Sequence, residues 1–195
     1  MLFRLSLFTF ILFTSFNTYA ENVTLRMANW LPPTHPWVNN IMLPWIEKVK
    51  IATNGRITIK LLKAPLGPPP AHFDFAAKGI ADITYGVHNY TSGRFITTQI
   101  TELPFLSNSS EVLSVAWQRI YKRELLQLNE HRGTHLLGVY THGPGQLWLS
   151  KSYKSIKEVK GLKVRIGGGI AQSSSKALGL VPLQAPVTKA YELLS

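Results

Sequence analysis

Residues 23–62 read VTLRMANWLPPTHPWVNNIMLPWIEKVKIATNGRITIKLL, and this stretch decides the fold. Its two ends, VTLRMA from Val23 to Ala28 and RITIKLL from Arg56 to Leu62, alternate apolar and polar residues as half-buried strands do. Between them, Asn29 to Pro36 is a loop broken by Pro32, Pro33 and Pro36. Trp37, Ile41, Trp45 and Val49 then recur at a spacing of four, which puts one apolar stripe along a helix. Pro44 should bend that helix, and Asn54-Gly55 should end it near Thr53.

The same alternation continues downstream. Pro65 to Pro70 reads as a loop, Ala71 to Gly79 as a short helix, and DITYGV from Asp82 to Val87 as a third strand. Strand, helix, strand, helix, strand is the pattern of an α/β domain with a largely parallel sheet. Glu111 to Asn129 reads as a long helix and THLLGVY, Thr134 to Tyr140, as a strand. His142 to Ser152 looks like a crossing into a second domain. There Lys163–Ile166 and Val181–Gln184 read as strands around an Ile170–Leu178 helix, and another helix begins at Val187. The sequence stops at Ser195 within that helical pattern, with no capping glycine before it, so the second domain is expected to be unfinished.

Upstream, Met1 to Arg4 is short and basic, LSLFTFILF from Leu5 to Phe13 is nearly all apolar, and Thr18-Tyr19-Ala20 supplies a small residue at the end. That order is expected of a secretory signal peptide over 1–20, cleaved after about Ala20. The apolar run is too short to span a bilayer. The mature chain is therefore expected to be periplasmic and soluble. With no cysteine, disulfides, thiol catalysis and cysteine-ligated zinc are excluded. The net charge of +11 reads as spread along the chain and favours an anionic ligand or an anionic surface. Nucleic acid is not expected as a partner of an exported protein. Six histidines form no HExxH arrangement, and Gly133 separates His131 from His135. Ser173 and Lys176 have the spacing of serine acyl-transferases without the companion motifs. No enzyme activity, cofactor or metal is expected.

Several stretches together resemble one family. LRMANWLPPTHPW (25–37), ATNGRITIKLL (52–62), GIADITYGVHNYTSGRF (79–95), ELPFL (102–106) and IKEVKGLKVRIGGGIAQSSSKALGLVPL (156–183) occur in the order seen in DctP-type solute-binding proteins of TRAP transporters. The resemblance implies a two-lobed α/β, periplasmic-binding-protein-like fold, with crossing strands, a long bracing helix and a ligand cleft that closes by a hinge. It implies a first lobe over 21–142, then a crossing segment and partial second lobe over 143–195. Members run longer than this chain, so parts of both lobes are expected to be absent. The implied partners are a small organic acid and the membrane permease subunits of the transporter, through which alone the protein would meet the membrane. A ligand sensor serving a membrane receptor, or a truncated and inactive member, are the alternatives.

By the same resemblance Arg165 pairs with the ligand's carboxylate, and a guanidinium suits that task because its planar fork matches two carboxylate oxygens. Gly167, Gly168 and Gly169 precede a helix whose first amides could receive an anion, with Gly168 central. Gly145 and Gln146 stand where many members carry a second basic residue. Without that residue a mono-, oxo- or hydroxy-acid is favoured over a dicarboxylate. Trp30, His35, His88 and Tyr90 fall on loops after strands, where ligands of open α/β sheets sit, and offer an aromatic wall. Arg94 is expected to brace its loop.

Overall fold

Val23–Met27 (β1) and Ile57–Leu61 (β2) pair in parallel, from Val23 opposite Ile57 to Met27 opposite Leu61. This is a computed structural model, and it describes residues 21–194. The expected signal peptide lies outside the described residues. The crossover between β1 and β2 begins as a π-turn over Val38–Met42 and continues as Leu43–Ala52 (α1). Pro44 comes just after the π-turn and has no N–H with which to continue its ladder, so it sits where the winding changes. The bend expected at Pro44 is thus a change of winding: the wider π-turn feeds the α-helix. Beyond α1, Thr53 Oγ1 donates to the Val49 carbonyl at 2.9 Å and accepts from the Ile57 amide at 3.1 Å. Asn54 (φ 50°) and Gly55 (φ 77°) turn the chain through the left-handed region into β2. Met27, Val38 and Met42 are buried between strand and helix, with Trp37, Trp45 and Ile59 packed against them.

The third strand is shorter than its alternation suggests. Ile83 makes one parallel bridge to Met27. Arg26 fixes it from below, with Nε 3.0 Å from Asp82 Oδ2 and its own amide donating to the same oxygen at 2.7 Å. From Tyr85 on, the chain is held by side chains instead of a ladder: Tyr85 Oη donates to Asn29 Oδ1 at 2.7 Å. His72–Ala77 (α2) precedes this bridge.

Ser110–Ile120 (α3) is capped by Ser109, whose Oγ accepts from Val112 N at 3.2 Å. The helical reading through Asn129 is right in extent. The last third, however, loosens into a π-turn over Tyr121–Leu125 and a 3-10 turn over Leu126–Leu128, which ends on left-handed Asn129. Thr134 to Tyr140 is not a strand. It is pinned to α3 by side chains: Val139 N donates to Gln118 Oε1 at 2.7 Å, and just beyond the segment Thr141 N donates to Ser114 Oγ at 2.9 Å. Among the described residues the two sheets are β1–β2 and the Lys163–Ile166 and Val181–Gln184 pair, and this segment joins neither. Residues 142–152 likewise contain no regular element.

Lys163–Ile166 (β3), Ile170–Ala177 (α4) and Val181–Gln184 (β4) repeat the first unit's plan. β3 and β4 pair in parallel, from Lys163 opposite Val181 to Ile166 opposite Gln184. A 3-10 turn at Val187–Lys189 leads into Ala190–Leu194 (α5).

Candidate functional site

The carboxyl ends of β3 and β4 abut the loop that follows Ile83, and this seam carries the candidate site. Arg165, in the middle of β3, sends Nε to the Ala185 carbonyl at 2.8 Å and an Nη to Tyr90 Oη at 3.3 Å. Its Cζ stands 6.0 Å from the centre of the Tyr90 ring. Two of the five guanidinium N–H donors are used, leaving three for another acceptor. Tyr90 Oη also accepts from the Val187 amide at 3.0 Å. Behind Tyr90 lies buried Trp30, with ring centres 6.4 Å apart, and Trp30 is stacked on Tyr85 at 5.2 Å. A hollow of about 360 Å³ opens here, lined by Pro70, Tyr90, Gly167, Gln184, Ala185 and Pro186. Arg165 bonds two of those six residues. A cation, an aromatic ring and a hollow therefore meet at one place.

The glycine run serves closeness. A Cβ on Gly167 would lie 2.9 Å from Asn89 Oδ1, and one on Gly168 would overlap the Asn89 carbonyl and come within 2.7 Å of Gln184 Nε2. Gly168 (φ 124°) is buried and stays a glycine for both reasons. The start of α4 is already occupied by the chain's own anion: Ile170 N donates to Glu102 Oε2 at 2.9 Å. The expected anion seat at the helix start is thus filled from the first lobe. Burial raises the Glu102 carboxyl above its ordinary value, against the lowering effect of the Ile170 amide and Asn89. Gln184 closes the seam further, its Nε2 donating to Ser92 Oγ at 3.0 Å and the Asn89 carbonyl at 3.4 Å.

The other sequence candidates make no hydrogen bond to Arg165, whose partners are Ala185 and Tyr90. His88 sits in a relay inside the first lobe: its Nε2 is 3.0 Å from His131 Nε2, and His131 Nδ1 is 2.7 Å from Tyr121 Oη. Burial, then the neighbouring His131, lowers His88 to about 4. His35 caps its own turn, Nδ1 accepting from Trp37 N at 3.1 Å. Gly145 and Gln146 are exposed in the irregular segment. Arg94 holds Asp74 at 2.7 Å and covers the Phe73 ring at 4.6 Å, a brace. Sequence reasoning missed Gln184, Asn89, Pro70 and Glu102. Gln184 could have been found, because it ends a strand on the side where α/β sheets bind ligands. Nothing local marks Glu102, since its partner is 68 residues away.

Two parallel β-α-β units meeting at such a seam define a two-lobed α/β binding protein, with the second lobe present in part. The chain belongs to the bacterial extracellular solute-binding protein family 7 (DctP), whose model matches residues 27–195. It is similar to a TRAP periplasmic solute-binding protein of Bordetella bronchiseptica solved with (R)- and (S)-mandelate. That match has 42% identity and a TM-score of 0.84, over 88% of this chain and 55% of that one. A TRAP solute-binding protein from Rhodoferax ferrireducens, solved with copurified benzoate, is similar at 28% identity and a TM-score of 0.80, over 89% of this chain and 54% of that one. A curated relative, the outer membrane transporter protein TsaT of Comamonas testosteroni, is 28% identical over 177 residues, 90% of this chain and 52% of its own length. The chain therefore spans about half the length of these relatives.

Proposed function

We propose that this chain supplies the first lobe and part of the second lobe of an exported receptor that captures a small aromatic or hydroxylated monocarboxylate for a TRAP-type permease. The observation that carries this reading is Arg165 at the seam, with three free donors beside Tyr90 and Trp30. A carboxylate would take the guanidinium fork, and an apolar ring would lie against the aromatic wall. Two relatives bound to mandelate and benzoate support this ligand class. The lack of a basic residue at Gln146 agrees with a single carboxylate. Export with cleavage after Ala20 completes the proposal. Among the described residues no helix is long and apolar enough to cross a membrane.

The test is calorimetric titration of the chain with mandelate, benzoate, 3-hydroxybenzoate, pyruvate and succinate. Aromatic acids should bind most tightly. Arg165→Ala should weaken them about tenfold to a hundredfold, the worth of a charge-assisted hydrogen bond. Equal binding by wild type and Arg165→Ala, or preference for succinate, would sink the reading.

A further inference from the structure

The charge that reads as evenly spread is in one place ordered. Between residues 151 and 163 lysine recurs at every third position: Lys151, Lys154, Lys157, Lys160 and Lys163. All five are exposed. A second row with the same period, Tyr153, Ile156, Val159 and Leu162, is apolar. Val159 is 2% exposed, and Tyr153 and Leu162 are half-buried. Ile156–Val159 is a 3-10 turn, in which residues three apart share a face; Lys151 and Lys154 precede that turn, Lys160 caps it and Lys163 opens β3. Val159, Tyr153 and Leu162 are thus turned towards the protein, while Ile156 and the five lysines face water.

The lysines are uncompensated. The single acid inside the strip is Glu158, and its Oε2 is turned to the Lys154 backbone amide at 3.2 Å. None of the five ammonium groups forms an ion pair among the described residues. Lys151 Nζ stands 5.3 Å from the centre of the Tyr153 ring, and the Lys160 stem lies against Gly179, where a Cβ would come within 2.9 Å of its Cγ. The Lys160 stem is packed, and the Lys151 head rests over an aromatic face without a counter-charge. Within residues 148–163 the large side chains of Trp148, 88%, and Ile156, 54%, are exposed among the described residues.

We infer that residues 148–163 form a docking strip for an anionic lipid surface. Lysine heads attract phosphate-bearing headgroups, and an exposed tryptophan with an isoleucine suits the boundary between headgroup and acyl chain. That mixture favours a lipid surface over an acidic protein, which would reward the charges and leave Trp148 and Ile156 unused. The strip would give the protein a direct membrane contact, additional to any contact through a permease.

The test is co-sedimentation of the full chain with vesicles of phosphatidylcholine alone and with 30% phosphatidylglycerol (about a third anionic lipid). The read quantity is the difference between the two vesicle types, which removes any uncharged contribution of the apolar residues 5–13. Anionic vesicles should bind more tightly, and 0.5 M salt should abolish the difference, as the Debye length falls to about 4 Å. The triple variant Lys151→Gln, Lys154→Gln, Lys157→Gln should lose affinity by about a hundredfold, roughly fivefold per lysine. Trp148→Ala should also weaken vesicle binding. A control triple in the first lobe, Lys48→Gln, Lys50→Gln, Lys60→Gln, removes the same charge and should leave most binding intact. Circular dichroism of each variant checks that it is folded. No preference for anionic vesicles, or an equal loss in the control triple, overturns the proposal. Tighter binding of soluble polyglutamate than of vesicles would assign the strip to an acidic protein and overturn it as well.

Discussion

The chain contains the same plan twice, and the two copies are stabilised differently. In the first unit, β1, α1 and β2 enclose Met27, Val38 and Met42, and two tryptophans pack over them. In the second, α4 is a short helix with Ser173, Ser174 and Ser175 in its middle, and the residue it buries is Ser175. Val159, Ile166 and Leu180 are buried, but they join no comparable cluster. The second unit is held instead by its seam with the first lobe: Arg165 to Tyr90, Ile170 to Glu102, and Gln184 to Ser92 and Asn89. The first unit is stabilised by burial that belongs to it, and the second by polar contacts across a boundary. A binding lobe that must move needs the second kind, because hydrogen bonds across a seam can be exchanged for bonds to ligand or water.

That contrast can be broken at both ends. Met42→Ala should cost about 2–5 kcal/mol in chemical denaturation, as truncation of a packed core side chain does. Leu180→Ala should cost about 2 kcal/mol, at the bottom of that range, because its surroundings are free to collapse. Equal costs would mean that the second unit has a core of its own.

Acid should next separate the first lobe from the seam. His88 is depressed to about 4, and burial also lowers His131, while the Glu130 carboxylate pulls both the other way. Tyr121 and Phe95 complete the surroundings of the pair. An unfolded imidazole takes a proton near its ordinary value, which the folded pair refuses. Stability is therefore full above that value and falls as the pH drops towards 4, by about 2–3 kcal/mol. His88→Gln should flatten this slope in a pH series of denaturation midpoints. Glu102 has the opposite sign: its raised carboxyl contributes stability at acid pH that is lost as the pH climbs from the ordinary glutamate value through the raised one.

Two smaller effects sharpen the comparison. Gly168→Ala puts a Cβ against the Asn89 carbonyl at a φ of 124°, and should cost about 1–3 kcal/mol. Amide exchange should then quicken in 163–184 and stay unchanged in 23–61. Tyr90→Phe removes the shared acceptor of Arg165 and Val187 and should cost about 1 kcal/mol, again confined to the second unit.

The elements that were legible in the sequence are those whose pattern is local. Both parallel pairs were placed to within a residue or two, because alternation and turn residues are written in consecutive positions. The third strand and Thr134–Tyr140 fall short of their alternation for one reason: alternation says that a segment can line a half-buried face, not that a ladder partner exists. Tyr85 and Asn29 end the third strand early, and Gln118 and Ser114 replace a partner for the other segment. At the site, Arg165, Tyr90, Trp30 and Gly168 come together as a motif and a strand-end rule suggest. His88 faces His131 and Phe95 inside the first lobe, a direction that a loop histidine does not announce in sequence. Glu102 and Asn89 became visible once both lobes were in contact.

The Tyr90 oxygen has a consequence of its own. It accepts from both Arg165 and Val187, so both of its lone pairs are occupied. Its hydrogen is then committed to pointing elsewhere, and the Arg165–Tyr90 pair can offer an incoming molecule donors and no acceptor. In the proposed site an ionised acid would bring only acceptors to those donors, whereas the corresponding amide would bring N–H groups that this pair could not receive. Discrimination between an acid and its amide would thus be set by how one phenol's lone pairs are used, with no repulsive charge required.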